Sequence, residues 1–76
     1  MAKRYKGNVS YRKLWNLMRE RGLRKRNLRE DYKMSPTLIK RLTDNANVAV
    51  DTIMHLCEIL NCQPGDIMEY IEERNT

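Results

Sequence analysis

One stretch of the chain decides the fold: residues 22–42, which read GLRKRNLREDYKMSPTLIKRL. Its first half predicts a basic helix from Lys25 to about Tyr32, in which Leu28 and Tyr32 are one turn apart and face inward. A linker of about two residues follows, so this helix and the next must meet at a sharp angle.

The second half of the stretch predicts a short helix over about Ser35–Leu42. Serine is a preferred N-cap, and proline fits the first helical position because the N–H that it lacks would be unpaired there. One face of this helix is apolar and can anchor it on the core, while the opposite face is polar and mostly basic. The polar face comprises Thr37, Lys40, Arg41 and Asp44.

Three more helices are predicted from apolar spacing and from residues that start and end helices. The first has Ser10 as its N-cap and ends at Gly22, and the fourth ends at Asn61. No stretch alternates as a half-buried strand does. The predicted fold is therefore all-α, a compact five-helix bundle with a helix-turn-helix, whose other helices cover about Tyr11–Arg21, Val50–Leu60 and Pro64–Glu73.

Seventy-six residues are enough for one domain. We assign residues 1–9 to a basic N-terminal arm, 10–73 to the helix-turn-helix domain and 74–76 to a tail. No segment approaches the roughly 20 apolar residues of a membrane span, and no apolar run follows the N-terminal charges as in a signal peptide. The two cysteines match no common metal spacing and fit a reducing compartment, so we expect a cytoplasmic protein without a metal.

The charges are segregated along the chain. Residues 1–42 carry fourteen lysines and arginines against three acids, a balance of +11, whereas residues 43–76 carry one arginine against seven acids, a balance of −6. A basic half can neutralise DNA phosphates and release counterions, and an acidic half repels DNA and so orients the molecule. The alternative interpretation is a basic soluble domain without a nucleic-acid partner.

The chain resembles the Cro and phage-repressor type of helix-turn-helix domain, also called the XRE family. In that family G-(L/M)-(T/S)-x-x-x-L-A leads through x-G-(V/I)-S into x-x-T-I-x-x-(I/L). Residues 50–62, VDTIMHLCEILNC, resemble the family's fourth helix, and residues 66–68 the start of its fifth. The resemblance covers about residues 10–73, and its central part is carried by Gly22-Leu23, Leu28, Tyr32, Met34-Ser35, Leu38-Ile39 and Leu42.

Several positions depart from the family pattern. Arg24 stands where the family usually caps its second helix with threonine or serine, and Arg29 and Tyr32 replace alanines. Lys33 replaces the turn glycine, which costs about 1 kcal/mol if the backbone there needs a positive φ. Pro36 occupies a position from which family members often read a base, and since proline has no side-chain donor, base reading falls on other residues of the helix.

The helical wheel and the resemblance agree on the base-contact residues, Thr37, Lys40 and Arg41. Arg41 can pair with guanine O6 and N7, Lys40 with a guanine or a phosphate, and the methyl group of Thr37 can pack on a thymine methyl. The resemblance implies a phosphate contact for Lys25 at the start of the second helix. Further candidates for contacts with the DNA backbone are Arg24, Ser35, Thr43, Asn45 and Asn47.

Two surfaces outside the helix-turn-helix are also predicted. The basic arm with Lys3, Arg4 and Lys6 either contacts DNA in the minor groove or along phosphates, or is a tail without contacts. The C-terminal half carries more apolar surface than a five-helix monomer needs, and in the resembling family the C-terminal helices often form a two-fold dimer. The predicted dimer-interface residues are Met54, Met68, Tyr70 and Ile71.

The sequence thus predicts a nucleoid-associated regulator of transcription, most of all a repressor. It would bind double-stranded DNA sequence-specifically as a homodimer, with its third helix in the major groove. The alternative is a protein-interaction module on the same scaffold, antitoxin-like or a co-regulator. RNA binding has no aromatic platform to support it. No catalytic constellation, cofactor motif or ligand pocket is evident, so we expect no enzymatic activity, cofactor, small-molecule ligand or membrane partner.

Overall fold

The computed structural model describes residues 4–73. In this part of the chain, four α-helices pack with a 3-10 turn and a two-stranded antiparallel sheet. The described helices include none that is long and apolar enough to span a membrane. In chain order the elements are β1 (Asn8–Ser10), α1 (Arg12–Glu20), α2 (Lys25–Glu30), α3 (Pro36–Thr43), α4 (Val50–Leu60), the 3-10 turn (Pro64–Asp66) and β2 (Glu69–Ile71).

The core lies between the helices, and each helix supplies it with apolar side chains from one face. Removal of these side chains from water is the main source of stability for a chain of this size. Half-buried residues, among them Trp15, Leu38 and Ile39, pack around this centre. The buried residues are Tyr11, Leu14, Met18, Leu28, Met34, Leu42, Ile53, Leu56, Leu60 and Ile67.

The predicted central helices are confirmed. α4 covers the predicted residues, and α3 begins after Ser35, whose hydroxyl accepts a hydrogen bond from the Leu38 N–H at 3.2 Å. The predicted left-handed helix ends are also present, with φ of 71° at Gly22 and 50° at Asn61. These ends follow from the sequence because glycine and asparagine tolerate a positive φ better than other residues.

α2 is shorter than predicted. In the turn after it, the residue that faces the core is also not the predicted one. Tyr32, which the helical spacing placed inward, is 37% exposed, and Met34 is buried instead. Lys33 has a φ of 58°, so the position where the family has glycine does need a left-handed backbone here. At the start of α2, the Oδ1 atom of Asn27 accepts a hydrogen bond from the Arg24 N–H at 2.8 Å, which partly replaces the missing threonine or serine cap.

The prediction of an all-α, five-helix bundle was wrong at both ends of the chain. Ser10 ends β1 and α1 begins at Arg12, with Tyr11 at the N-cap position, although the Ser10 hydroxyl does accept a hydrogen bond from the Arg12 N–H at 3.3 Å. The predicted helix from Pro64 to Glu73 is a single 3-10 turn followed by β2. Its apolar residues fit a helix as well as a strand over so short a run, and the deciding partner, β1, lies about 60 residues earlier in the chain.

Gly7 explains why the sheet can close at the start of β1. A Cβ atom on this residue would lie 2.4 Å from the Ile71 carbonyl oxygen and equally close to the Tyr70 ring, so only glycine fits. The strands then pair with Val9 opposite Tyr70. The sheet thus includes Asn8 and Val9, which the sequence analysis assigned to the basic N-terminal arm.

The cysteines lie beside the core, as their apolar character predicted. Cys57 and Cys62 are half-buried, and both thiols are free. Burial raises the pKa of the Cys62 thiol, and the neighbouring Cys57 acts in the same direction. Within residues 4–73, no cluster of histidine, cysteine or acidic side chains is arranged to hold a metal ion.

Candidate nucleic-acid interface

The polar face of α3 is open to solvent. Leu42 is buried and Leu38 and Ile39 are half-buried, so the helix is anchored by one side. Thr37, Lys40 and Arg41 are all exposed on the other side, which is the orientation that the helical wheel predicts. The helix thus presents all three side chains to solvent.

Two polar residues in the last turns of α3 have partners on their own helix. The Lys40 ammonium lies 3.0 Å from a carboxylate oxygen of Asp44, an exposed pair one turn apart. The Thr43 hydroxyl donates to the Ile39 carbonyl at 2.9 Å. An exposed pair of this kind contributes only about 0.3–0.5 kcal/mol, so Lys40 can exchange Asp44 for a DNA phosphate or base at little cost.

Arg41 has a different kind of partner. Its Nε and Nη2 groups both donate to the backbone carbonyl of Asn47, at 3.0 and 2.6 Å. The carbonyl of Arg41 in turn accepts a hydrogen bond from the Ala46 N–H at 2.9 Å. Arg41 therefore binds the α3–α4 loop (residues 45–49, after the C-cap residue Asp44 of α3) through both its side chain and its backbone.

Tyr11 holds the same loop from the start of α1. Its backbone N–H donates to Asn45 Oδ1 at 3.0 Å, and its hydroxyl donates to the Ala46 carbonyl at 2.8 Å. Burial raises the pKa of the Tyr11 hydroxyl above its ordinary value of 10.0, while the nearby Arg41 charge acts in the opposite direction. The sequence placed Tyr11 only in the core, because nothing in its spacing indicates a partner 35 residues away.

Lys25 lies at the first turn of α2 beside Trp15. Its ammonium is 4.4 Å from the centre of the indole ring, a cation–π distance. A lysine at a helix N-terminus is disfavoured by the helix dipole, and the ring face offsets part of that cost. Trp15 packs at the rim of the core, and it also orients this candidate phosphate contact.

A basic groove between α2 and α3 brings several of the predicted contacts together. Lys25, Lys40 and Thr43 all line it, together with Arg26 and Arg29, which the sequence did not single out. The sequence does indicate that these arginines share a helix face, because the basic residues of α2 recur at spacings of three and four. Both lie within 4.0 Å of the exposed Glu30 carboxylate, but such exposed ion pairs are weak enough to yield to a phosphate.

A family model described as a Cro/C1-type helix-turn-helix DNA-binding domain matches residues 13–73. The chain belongs to this family. The match includes all of α1 beyond its first residue and every element through β2. The resemblance drawn from residues 10–73 is thereby confirmed, and the exposed helix α3 is the second helix of the helix-turn-helix of a Cro/C1-type domain.

A solved structure agrees with this assignment. The crystal structure of the transcriptional regulator VanUg superposes on this Cro/C1-type domain with a TM-score of 0.85 and is 38% identical in sequence. The alignment covers 96% of this chain and 99% of that chain. No curated protein matches the chain at a significant level.

The remaining predicted contacts are scattered over the Cro/C1-type domain. Arg4, Lys6 and the side chain of Arg24 are exposed, and Lys3 lies outside the described residues. The predicted dimer residues do not form one element: Met54 is exposed on α4, whereas Tyr70 and Ile71 are exposed in β2. Met68 is half-buried and lines an apolar cavity with Tyr70, at the sheet.

Proposed function

We propose that this Cro/C1-type domain is a sequence-specific regulator of transcription that inserts α3 in the major groove of duplex DNA. The observation that carries the proposal is the combination of an exposed polar face on α3 with the basic groove beside it. Phosphate contacts fix the register of a protein on DNA, and side chains in the major groove read the bases. The two surfaces thus divide these tasks between them.

Each surface has its own candidate residues. Thr37 and Lys40 are the base-reading candidates with free or weakly held side chains, and Arg41 lies on the same face. Lys25, together with the arginines of α2, supplies the phosphate contacts. Ser35 adds a hydroxyl that accepts the cap bond and keeps its own proton for a phosphate oxygen. Arg24 and the loop residues Thr43, Asn45 and Asn47 extend this contact line along the DNA backbone.

We further propose that the protein is a cytoplasmic repressor that binds a roughly palindromic operator as a homodimer. Two copies related by a two-fold axis place their recognition helices about 34 Å apart, in successive major grooves. Support comes from the apolar side chains that the monomer leaves exposed, among them Met54, Tyr70 and Ile71. Arg4 and Lys6 lie at the start of the described chain and extend the basic half.

Selection of bound sequences from a random duplex library tests this proposal. We expect a palindromic consensus, and the absence of any enrichment would contradict sequence-specific binding. Lys25→Ala should weaken binding to all sequences about equally and lower the salt slope of the affinity by about 1, because one phosphate contact is lost. Lys13→Ala is the matched control, since Lys13 contacts the Gly65 carbonyl and Glu69, away from the basic groove.

A protein-interaction module is the second candidate function. The apolar cavity at the sheet favours it, because Tyr5, Val9, Met68 and Tyr70 line a concave, largely apolar surface. Tyr5 and Tyr70 stack edge to face, with ring centres 6.1 Å apart. If the purified protein gave a flat response to any duplex DNA at low salt, this interpretation would replace the first.

A further inference from the structure

The α3–α4 loop is held at three successive residues by two residues outside it, Tyr11 and Arg41. The amide oxygen of Asn45 and the carbonyl of Ala46 accept from Tyr11, and the carbonyl of Asn47 accepts from Arg41. The loop begins with a left-handed residue, Asn45, with a φ of 56°, and the Ala46 N–H donates to the Arg41 carbonyl. The loop is thus fixed along most of its length beside the end of the recognition helix.

We propose that Arg41 is a positioning residue for this loop rather than a base reader. By binding the Asn47 carbonyl it sets where Asn45 and Asn47 meet the DNA backbone when α3 enters the groove. The proposal rests on the proposed function, since it assumes that α3 binds in the major groove. It gives Arg41 a role that the helical wheel, which shows only the direction of a side chain, does not reveal.

The hydrogen-bond geometry supports this role. A guanidinium that gives two donors to one carbonyl oxygen forms a charge-assisted contact, stronger than a neutral hydrogen bond. Its planar fork also fixes the direction of the partner, which a lysine cannot do. Bidentate recognition of guanine through the same Nε–Nη2 edge would require Arg41 to release Asn47. The Asn47 carbonyl would then lose both of the donors that Arg41 gives it.

Lys40 provides the contrast on the same helix face. Its ammonium is paired with an exposed side chain on its own helix, and its side chain is 77% exposed. This pair shares no atom with the hydrogen bonds that hold the loop, which are made by Tyr11 and Arg41. Lys40 can therefore contact a base without disturbing the loop, whereas the side chain of Arg41 helps to hold the loop in place.

Arg41→Ala separates the possible roles when affinity, base preference and salt slope are measured together. We expect affinity for the selected site to fall about tenfold, because the displaced loop loses one or two contacts with the DNA backbone. The preference at every base pair and the salt slope should stay unchanged, because the Arg41 charge faces a carbonyl and not a phosphate. Relaxed preference at one base pair would identify a base reader through the Nη1 edge, and a slope lower by about 1 would identify a phosphate contact; either overturns the proposal.

A double-mutant cycle tests the link to the loop. Asn47→Ala should weaken binding in the wild-type background but much less in the Arg41→Ala background, a coupling of at least about threefold. Additive effects would contradict the positioning role. Arg41→Lys should behave like Arg41→Ala, because lysine keeps the charge but not the fork. Lys40→Ala is the control within the same helix, and it should change the salt slope or the preference without coupling to Asn47→Ala.

Hydrogen exchange of the DNA-free protein tests the contact between Arg41 and the loop independently of DNA binding. The Ala46 amide should exchange faster in Arg41→Ala, while amides in the buried part of α4 stay protected and thermal unfolding remains cooperative. Unchanged exchange at Ala46 would show that Arg41 does not hold the loop. If the exchange changes but wild-type protein enriches no DNA sequence, the DNA-binding function is wrong and not the contact between Arg41 and the loop.

Discussion

The two connections on either side of α3 are built in different ways. The α2–α3 turn depends on its own residues: Lys33 takes a left-handed backbone, and the buried Met34 returns its N–H to the Leu28 carbonyl at 2.9 Å. The α3–α4 loop is held from outside, by Tyr11 and Arg41. The first connection sets the angle of α3 from local geometry, whereas the second is fixed by a long-range partner, Tyr11, in addition to the nearby Arg41.

This difference matters for what each connection can do on DNA. A turn fixed by its own backbone keeps its shape whatever binds to α3. The position of a loop held by side chains can be changed by substitution, because each hydrogen bond to the loop can be removed separately. Under the proposed function, variation in the core at Tyr11 or on the helix at Arg41 would therefore change DNA contacts at the loop without changing the angle between α2 and α3.

The largest effect is expected at Tyr11, which supports the loop and also fills the core. Tyr11→Ala should lower the free energy of unfolding by about 3–5 kcal/mol, since it removes an aromatic side chain that is only 2% exposed. Tyr11→Phe keeps the ring and loses only the hydroxyl bond to Ala46, so it should cost about 1 kcal/mol. Urea unfolding measures both.

The exposed Tyr32 is the control for these variants, because Tyr32→Phe should change stability by less than about 0.5 kcal/mol. Equal losses for Tyr11→Phe and Tyr32→Phe would show that the hydroxyl does not hold the loop. The comparison of the two connections would then lose its main support.

The sequence predicts the local part of this architecture well. Ser35 and Pro36 mark the start of α3, and α4 begins and ends at its predicted residues because its apolar spacing and its asparagine end are local signals. The family pattern identified the turn position at Lys33 as one that needs a positive φ. Each of these features depends on residues within one or two turns of one another.

The features that the sequence could not predict depend on partners that no local pattern indicates. β2 forms only because Gly7 admits the chain beside Ile71, and no short window of sequence contains both strands. The contact of Arg41 with Asn47 also escapes a helical wheel, which identifies the exposed face but not the partner of each side chain. Arg26 and Arg29 could have been predicted as groove residues from the basic spacing of α2.

The same substitution should have opposite effects at the two left-handed residues that flank α3. Lys33→Gly should raise the free energy of unfolding by about 1 kcal/mol, because glycine adopts a positive φ without the strain of a side chain. Asn45→Gly should lower it by about 1 kcal/mol, since asparagine tolerates this backbone and its Oδ1 accepts the Tyr11 N–H.

Lys33→Ala controls for the lost charge, because it keeps the Cβ atom and should give no gain. Chemical unfolding of the four proteins, wild type included, compares the two sites directly. A gain at both positions would mean that the loop, like the turn, depends on its own backbone and not on tertiary hydrogen bonds.

The smallest effect is expected from the titration of Tyr11 at alkaline pH. Because burial raises the pKa of its hydroxyl in the folded state, the proton is bound more tightly in the folded than in the unfolded chain. The corresponding stability is fully present below the ordinary value of 10.0 and is lost as the pH rises from there through the higher folded pKa. Tyr11→Phe lacks this contribution, so its deficit relative to wild type should shrink above pH 10, as measured by urea unfolding across that range. A constant deficit would indicate that the hydroxyl is equally free to ionise in both states, and that the loop takes no stability from the Tyr11 proton.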